Sequence, residues 1–200
     1  MELLGLDKNR FANWCATLPG GTTMVVQPKI DGCALGLRYK YGQLVDAYSD
    51  KHPEIIEIIR TINSIPLTID DSLKVEVELE GVLYSPILST DFSKDQFSSN
   101  VNRTIFNNDS LSFLAFQIFS SKNDELSDLT QLQKWGFDVP ITLRTDDPRQ
   151  VQIWHSQWIN NELFTNLPTN GIVAKCNSSS TKDFLGVGSS SPNWALALTR

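Results

Sequence analysis

Residues 27–32 read Gln-Pro-Lys-Ile-Asp-Gly, and residues 33–48 continue as CALGLRYKYGQLVDAY. Residues 33–39 and 43–48 predict two strands, and Tyr41-Gly42 between them predicts the tight turn of a hairpin. Upstream, Thr22 to Val26 predicts a short strand that delivers Lys29 to its end. Ahead of that, Asp7 to Leu18 carries Phe11, Trp14, Cys15 and Leu18 at helical spacing and stops at Pro19-Gly20-Gly21. A lone K-x-D-G is a weak signal, since a lysine in a strand-turn is as a rule a solvated surface residue. Its weight depends on what the rest of the chain places around it.

Further along, Pro53 to Asn63 predicts a helix with proline in its first turn and an apolar face of Ile55, Ile58, Ile59 and Ile62. Val75 to Tyr84 opens with strand alternation, Val75, Val77 and Leu79 against Glu76, Glu78 and Glu80. Ser89 to Asp109 is polar and rich in Asn and Ser, the pattern of a loop with a short helix. Leu111 to Phe119 predicts a strand. Glu125 to Trp135 and Pro148 to Asn161 predict helices, with a strand from Val139 to Arg144 between them. Gly171 to Cys176, Thr181 to Leu185 and Trp194 to Leu198 predict a strand, a helical turn and a last strand. No internal repeat is present. Hairpins interleaved with helices predict an α+β fold with mainly antiparallel sheets.

The 200 residues suit one domain, and a hydrophobic share of 40% suffices for a packed core. The net charge of -6, from 17 basic and 23 acidic residues, argues against a protein that grips duplex DNA by bulk electrostatics. It leaves room for a nucleotide site, which needs only a few local cations. Three cysteines without a CxxC pair and only two histidines speak against a structural or catalytic zinc. No G-x-S-x-G elbow is present. The first residues, MELLGLDKNRF, lack the apolar core of a signal peptide, and no apolar run reaches membrane-spanning length. The expectation is a soluble, cytoplasmic protein with reduced thiols and no membrane partner. The sequons at Asn102, Asn108 and Asn177 then carry no weight.

Read in order, the motifs resemble the adenylation domain of NAD-dependent DNA ligases. Gln27 to Gly32 is similar to the first nucleotidyltransferase motif, and Ala34 to Tyr39 with Gly42 and Leu44-Val45 to that family's hairpin. Ile59 to Leu67 resembles the helix exit before the next strand. Val77 to Pro86 resembles the strand bearing the R-G-E-V pattern, with Gly81 on the glycine. Ser112 to Phe116 resembles the strand with the adenine-stacking aromatic, and Leu132 to Val139 a family helix and its exit. Asn170 to Lys175 is similar to the D-G-V-V-I-K motif. Leu185-Gly186 and Ser191 to Ala197 resemble the last segment.

The resemblance implies the ATP-grasp-like nucleotidyltransferase fold of DNA ligases, with residues 1–200 as a single adenylation domain. It implies an adenine nucleotide as ligand (NAD, or AMP or ATP), Mg²⁺ as helper, and nicked DNA as a partner reached through other modules or proteins. Lys29 takes the position of the lysine that accepts AMP, and an amine suits a bond to phosphorus that must be broken again. Lys175 would stabilise charge on the α-phosphate and favour the neutral form of Lys29. Asp31 would accept from the ribose or orient the turn, and Gly32 would permit a close chain reversal. Phe116 would stack on adenine, and Gln27, where the family has glutamate, would bond the adenine edge. Glu80 would bind a ribose hydroxyl or hold Mg²⁺. Pro28, Ile30 and Ile172 complete the expected nucleotide contacts. Blander readings stand beside these: Glu80 as one of three carboxylates on a solvated face, Phe116 as core, Lys175 as a surface residue at a strand end, Trp194 as core.

Several positions depart from the family pattern. The Arg-Gly-Asp-Gly stretch is replaced by Tyr48 to Pro53, where Lys51 is the nearest cation. Glu80 falls on the family's arginine and Val82 on its glutamate, although residues two apart share a strand face. The N-P-R-N-A-A-A-G loop is reduced to Ser99 to Thr104, with Arg103. Asn170 replaces an aspartate. Thr199 replaces the final lysine, and Arg200, one step on, should face the other side. The resemblance would put the module that binds the nicotinamide mononucleotide half of NAD ahead of Asp7, and the expectation is a chain without it. The oligonucleotide-binding, zinc, helix-hairpin-helix and BRCT modules would lie beyond residue 200. Three readings of function follow: adenylyl transfer to Lys29, a degenerate nucleotide-binding module, and a protein-interaction domain that keeps only the fold.

Overall fold

In the computed structural model, residues 3–49, 55–70, 76–86, 111–189 and 191–200 are described. In chain order they form α1 (Leu3–Thr17), β1 (Met24–Ile30), β2 (Cys33–Lys40), β3 (Gln43–Tyr48), α2 (Ile56–Ile59), β4 (Glu76–Tyr84) and β5 (Ser112–Ile118). Then come α3 (Glu125–Lys134), β6 (Leu143–Thr145), α4 (Pro148–Ile159), β7 (Thr169–Cys176), α5 (Ser179–Leu185) and β8 (Ala195–Leu198). The strands make two four-stranded sheets, ordered β6-β1-β7-β8 and β3-β2-β4-β5, with antiparallel pairing throughout. This is the expected α+β fold. The chain divides into two compact units: residues 1–30, 122–126 and 141–200 in the first, residues 31–121 and 127–140 in the second.

In the first unit, one face of the sheet is apolar at every second position. Met24, Val26, Ile172, Ala174, Cys176, Leu196 and Leu198 pack with Phe11 and Trp14 of α1 and Val151 and Trp158 of α4. Helix α4 starts as its sequence dictates: Asp147 accepts from the Arg149 backbone N–H, and Pro148 takes a first-turn position. The opposite face carries Val25, Gln27, Val173 and Lys175, as the pairs Val25 with Lys175 and Gln27 with Val173 require. Alternation adds Lys29 to that face.

In the second unit, Leu35, Leu37, Tyr39, Val77, Leu79, Leu83, Phe113 and Ala115 are buried. The register puts them on one face, with Tyr39 opposite Val77, Leu37 opposite Leu79 and Leu83 opposite Phe113. Phe137 packs edge-on to both Tyr39 and Phe113, each with ring centroids 6.1 Å apart. The hairpin turns where expected, with positive φ at Tyr41 (49°) and Gly42 (77°).

Several elements differ in extent from the sequence expectation, three of them by more than a shifted first turn or strand end. Strand β1 runs to Ile30, so Lys29 lies inside a paired strand. Helix α2 covers only Ile56–Ile59; residues 51–54 lie outside the described residues, as do the expected loop of residues 89–109, Lys51 and Arg103. The strand expected over 139–144 shrinks to Leu143–Thr145, since Pro140 has no N–H for a ladder and β1 offers partners only from Leu143 onward.

Candidate functional site

Lys29 stands where the pairing of β1 with β7 is irregular. Pro28 pairs with Ile172 and Ile30 with Thr169, so Asn170 and Gly171 together oppose Lys29. The Lys29 Nζ donates to Asn170 Oδ1 at 2.6 Å. Lys175 pairs with Val25, four residues from Lys29 along β1. At strand rise that offset is about 13 Å, on one face of the sheet. Two long amines on that face can approach a common ligand from either end.

Lys175 is buried, and its Nζ donates to Glu125 Oε1 at 2.6 Å. Lys182 of α5 donates to the other oxygen, Oε2, at 2.5 Å. Burial by itself raises the carboxyl of Glu125, and the two ammonium groups more than reverse this, holding it below its ordinary range. Sequence reading missed Glu125 and Lys182, because their partners lie about 50 residues away and no local pattern marks them. Gln27 is 3% exposed, and its Nε2 donates to Thr142 Oγ1 at 3.1 Å, a second partner the sequence did not indicate.

Two other expected contacts lie on the core face of the sheet. Ile172 is fully buried in the core of the first unit, and Pro28 shares its side by pairing. Both lie on the face opposite Lys29. Ile30, paired with Thr169, is partly exposed at the end of β1. Arg200 is turned toward α4: its Nη2 donates to Ile159 O and Asn161 Oδ1, both at 3.2 Å, and its guanidinium lies 5.3 Å from the Trp158 ring centroid. It does not replace the lysine that the family carries at the position of Thr199. Trp194 carries Lys182 Nζ 4.8 Å above its ring.

In the second unit, Asp31 and Gly32 follow β1 directly. A Cβ on Gly32 would stand 2.4 Å from Leu83 O and 2.7 Å from Val82 Cγ2. Glycine is needed here for close passage along β4 and not for a left-handed turn. Glu80 pairs with Gly36 and Val82 with Ala34, so both share the face opposite the core. Tyr48 closes over Gly36, where an added Cβ would lie 2.3 Å from the ring. Its hydroxyl is raised by burial and then by the nearby carboxylates of Glu78 and Glu80. Phe116 occupies a bulge: Gly81 pairs with Ala115 and Glu80 with Gln117, leaving Phe116 as the extra residue. It is partly exposed, while Phe113 and Ala115 fill the core positions of the same strand. Bulges re-aim side chains and recur beside functional sites.

The family profile for the NAD-dependent DNA ligase adenylation domain matches residues 9–109, just over half of the chain. The chain belongs to this family. It is similar to the DNA ligase of Mycoplasma genitalium, at 29% identity over 196 residues, which covers 86% of this chain and 29% of that protein. It is similar to the DNA ligase of Borrelia turicatae at 28% over 210 residues, covering 91% and 30%. The chain thus spans about three tenths of the length of these relatives. Among solved structures it resembles an archaeal ATP-dependent RNA ligase, with a TM-score of 0.58 and 12% identity over 93% of this chain and 44% of that one. It also resembles a putative ATP-dependent DNA ligase from Aquifex aeolicus, with a TM-score of 0.53 and 12% identity over 86% and 44%. At such identity these structures support the ligase nucleotidyltransferase fold and nothing finer. Among the described residues no helix is long and apolar enough to cross a membrane.

Proposed function

We propose that the chain transfers adenylate to its own Lys29 as the first step of nick sealing in DNA replication or repair. The neutral amine of Lys29 attacks the α-phosphorus of NAD. A P–N bond forms, the P–O bond to nicotinamide mononucleotide breaks, and that mononucleotide leaves with the bonding electrons while the amine gives up its proton. ATP is the alternative donor, with pyrophosphate leaving. The observation that carries this reading is Lys29 in the family's first motif, on the sheet face that also bears Lys175.

The remaining roles follow from chemistry. Lys175 stabilises charge on the α-phosphate, and Asp31 holds the ribose or the turn behind Lys29. Gln27 meets the adenine edge through its amide, with Thr142 fixing that amide's orientation. Phe116 stacks on the base, a contact worth roughly 1–3 kcal/mol. Glu80 takes a ribose hydroxyl or one position on Mg²⁺. Among the described residues no group of three His, Cys, Asp or Glu side chains is placed to hold a metal. A magnesium ion that keeps its waters and is held mainly by phosphate oxygens, with Glu80 as protein ligand, suits such a donor set. We take both units as parts of one adenylation domain, a reading supported by a family match that runs through residues of each.

A second reading has a specific observation in its favour. Arg200 is committed to α4, and Asn170, Val82 and Thr199 replace charged family residues. Each lost charge contact at a transferring phosphate costs on the order of 10² to 10³ in rate. A domain that binds an adenine nucleotide without useful turnover is therefore the alternative, and nicked DNA would be engaged through partner proteins. Incubation with NAD or ATP followed by intact-protein mass spectrometry separates the two. A gain of one AMP, abolished in Lys29→Ala, is expected. Nucleotide binding by calorimetry with no adduct from either donor would select the second reading, and neither binding nor adduct would leave the fold alone.

A further inference from the structure

Glu125 and Lys182 join Lys175, the last residue of the D-G-V-V-I-K-like motif, in a buried charge cluster, and no family motif accounts for these two. The side chains of Lys175, Glu125 and Lys182 are 8%, 4% and 16% exposed, and each carboxylate oxygen accepts from a different ammonium. Glu125 sits at the start of α3, where the Asn177 main-chain oxygen and side chain accept from the backbone N–H groups of Glu125 and Leu126. These bonds hold the backbone at the start of α3, and the two ammonium groups hold the carboxylate. With Lys175 alone, Glu125 would cancel the positive charge that a phosphate needs. With Lys182 on the second oxygen, the three groups together carry one net positive charge, in surroundings where water screens weakly. Lys182 is carried by α5, and its ammonium also lies over the ring of Trp194.

We propose that Glu125 and Lys182 are positioning residues for nucleotide binding: Glu125 orients Lys175, and Lys182 offsets the Glu125 charge so that Lys175 still attracts a phosphate. This rests on the nucleotide reading given above. Lys182 then contributes to recognition of the phosphate and not of the base or sugar, although it is held on the far oxygen of Glu125.

The test compares AMP with adenosine by calorimetry on the full chain. In Lys182→Gln, AMP affinity should fall about tenfold, the size of one unit charge acting over about 12 Å at an effective dielectric near 20. Adenosine affinity should stay within about twofold, and Lys182→Arg should restore AMP binding. Lys182→Met keeps an unbranched side chain without the charge and should repeat the loss if the Gln variant folds poorly. An AMP-to-adenosine ratio unchanged in both variants would overturn the proposal while leaving the nucleotide reading intact. Equal losses for both ligands would mark Lys182 as merely structural and overturn it too. Absence of AMP and adenosine binding in the unaltered chain would remove the nucleotide reading, and this proposal with it.

Discussion

Arg200 and Thr199 are neighbours with different surroundings. The Thr199 carbonyl lies 3.0 Å from His155 Nε2, and Arg200 covers Trp158 with its guanidinium. Strand alternation alone predicts that the two face opposite sides, and the Arg200 contacts fix which side it takes. Arg200→Ala should therefore lower the stability measured by urea unfolding by about 0.5–1 kcal/mol, the scale of an exposed cation–π contact. Its rate of AMP adduct formation should match the unaltered chain; a tenfold slower rate at unchanged stability would place Arg200 at the phosphate instead. Glu125 behaves differently because it is buried between two cations. Its carboxyl is held below the ordinary value in the folded chain, so folding favours the ionised form. The resulting stability is fully present above the unfolded value, about pH 4.3, and is lost as pH falls through the lower folded value. Glu125→Gln leaves two buried ammonium groups facing an amide and should cost on the order of 3 kcal/mol above pH 5. Below about pH 4 the gap between the two proteins should narrow, as urea midpoints across a pH series would record. A gap that widened in acid would mean that Glu125 is not ionised in the fold.

Elements with local signals were legible in the sequence. The hairpin followed from Tyr41-Gly42, and α4 from Asp147-Pro148, because a turn or a cap is decided by adjacent residues. Strand β6 was overextended because apolar content near Val139 hid the missing donor of Pro140. The bulge at Phe116 was not legible, since a bulge exists only once β5 pairs with β4 in a particular register. That register depends on Gly81. A Cβ there would lie 2.2 Å from Phe113 Cζ and 2.4 Å from Leu114 O, one of them backbone. Gly81→Ala should destabilise the chain by about 1–3 kcal/mol, the range for forcing a methyl into packed surroundings. It should also weaken AMP binding, because Phe116 leaves its place when β5 shifts. Calorimetry on the folded variant checks this: unchanged AMP affinity together with lowered stability would detach the bulge from base stacking.

The whole chain pairs residues that are far apart in sequence, and this is where sequence reading stopped. Strand β1 lies between β6 and β7, which bring residues 143–145 and 169–176 to its two edges. No periodicity announces such an order; it follows from burying one apolar sheet face under α1 and α4. The family resemblance named a candidate site where local physics named none, yet it was silent on Glu125 and Lys182, and the Ile172 it names is buried in the core of the first unit. Net charge acts at the same scale. Relatives named DNA ligases are several times longer than this chain, and the chain carries -6 overall. A surface that neutralises 6–10 phosphates loses about 10³ to 10⁵ in affinity between 50 and 200 mM salt. This chain, with 23 acidic against 17 basic residues, should show a much shallower dependence, under about tenfold, and a dissociation constant for nicked duplex no tighter than about 10⁻⁵ M at 200 mM. Fluorescence anisotropy with a labelled nicked duplex at both salt concentrations measures this directly. Tight binding with a steep slope would show that the basic residues gather on one surface despite the acidic total, and DNA engagement would then belong to this chain itself and not to partners.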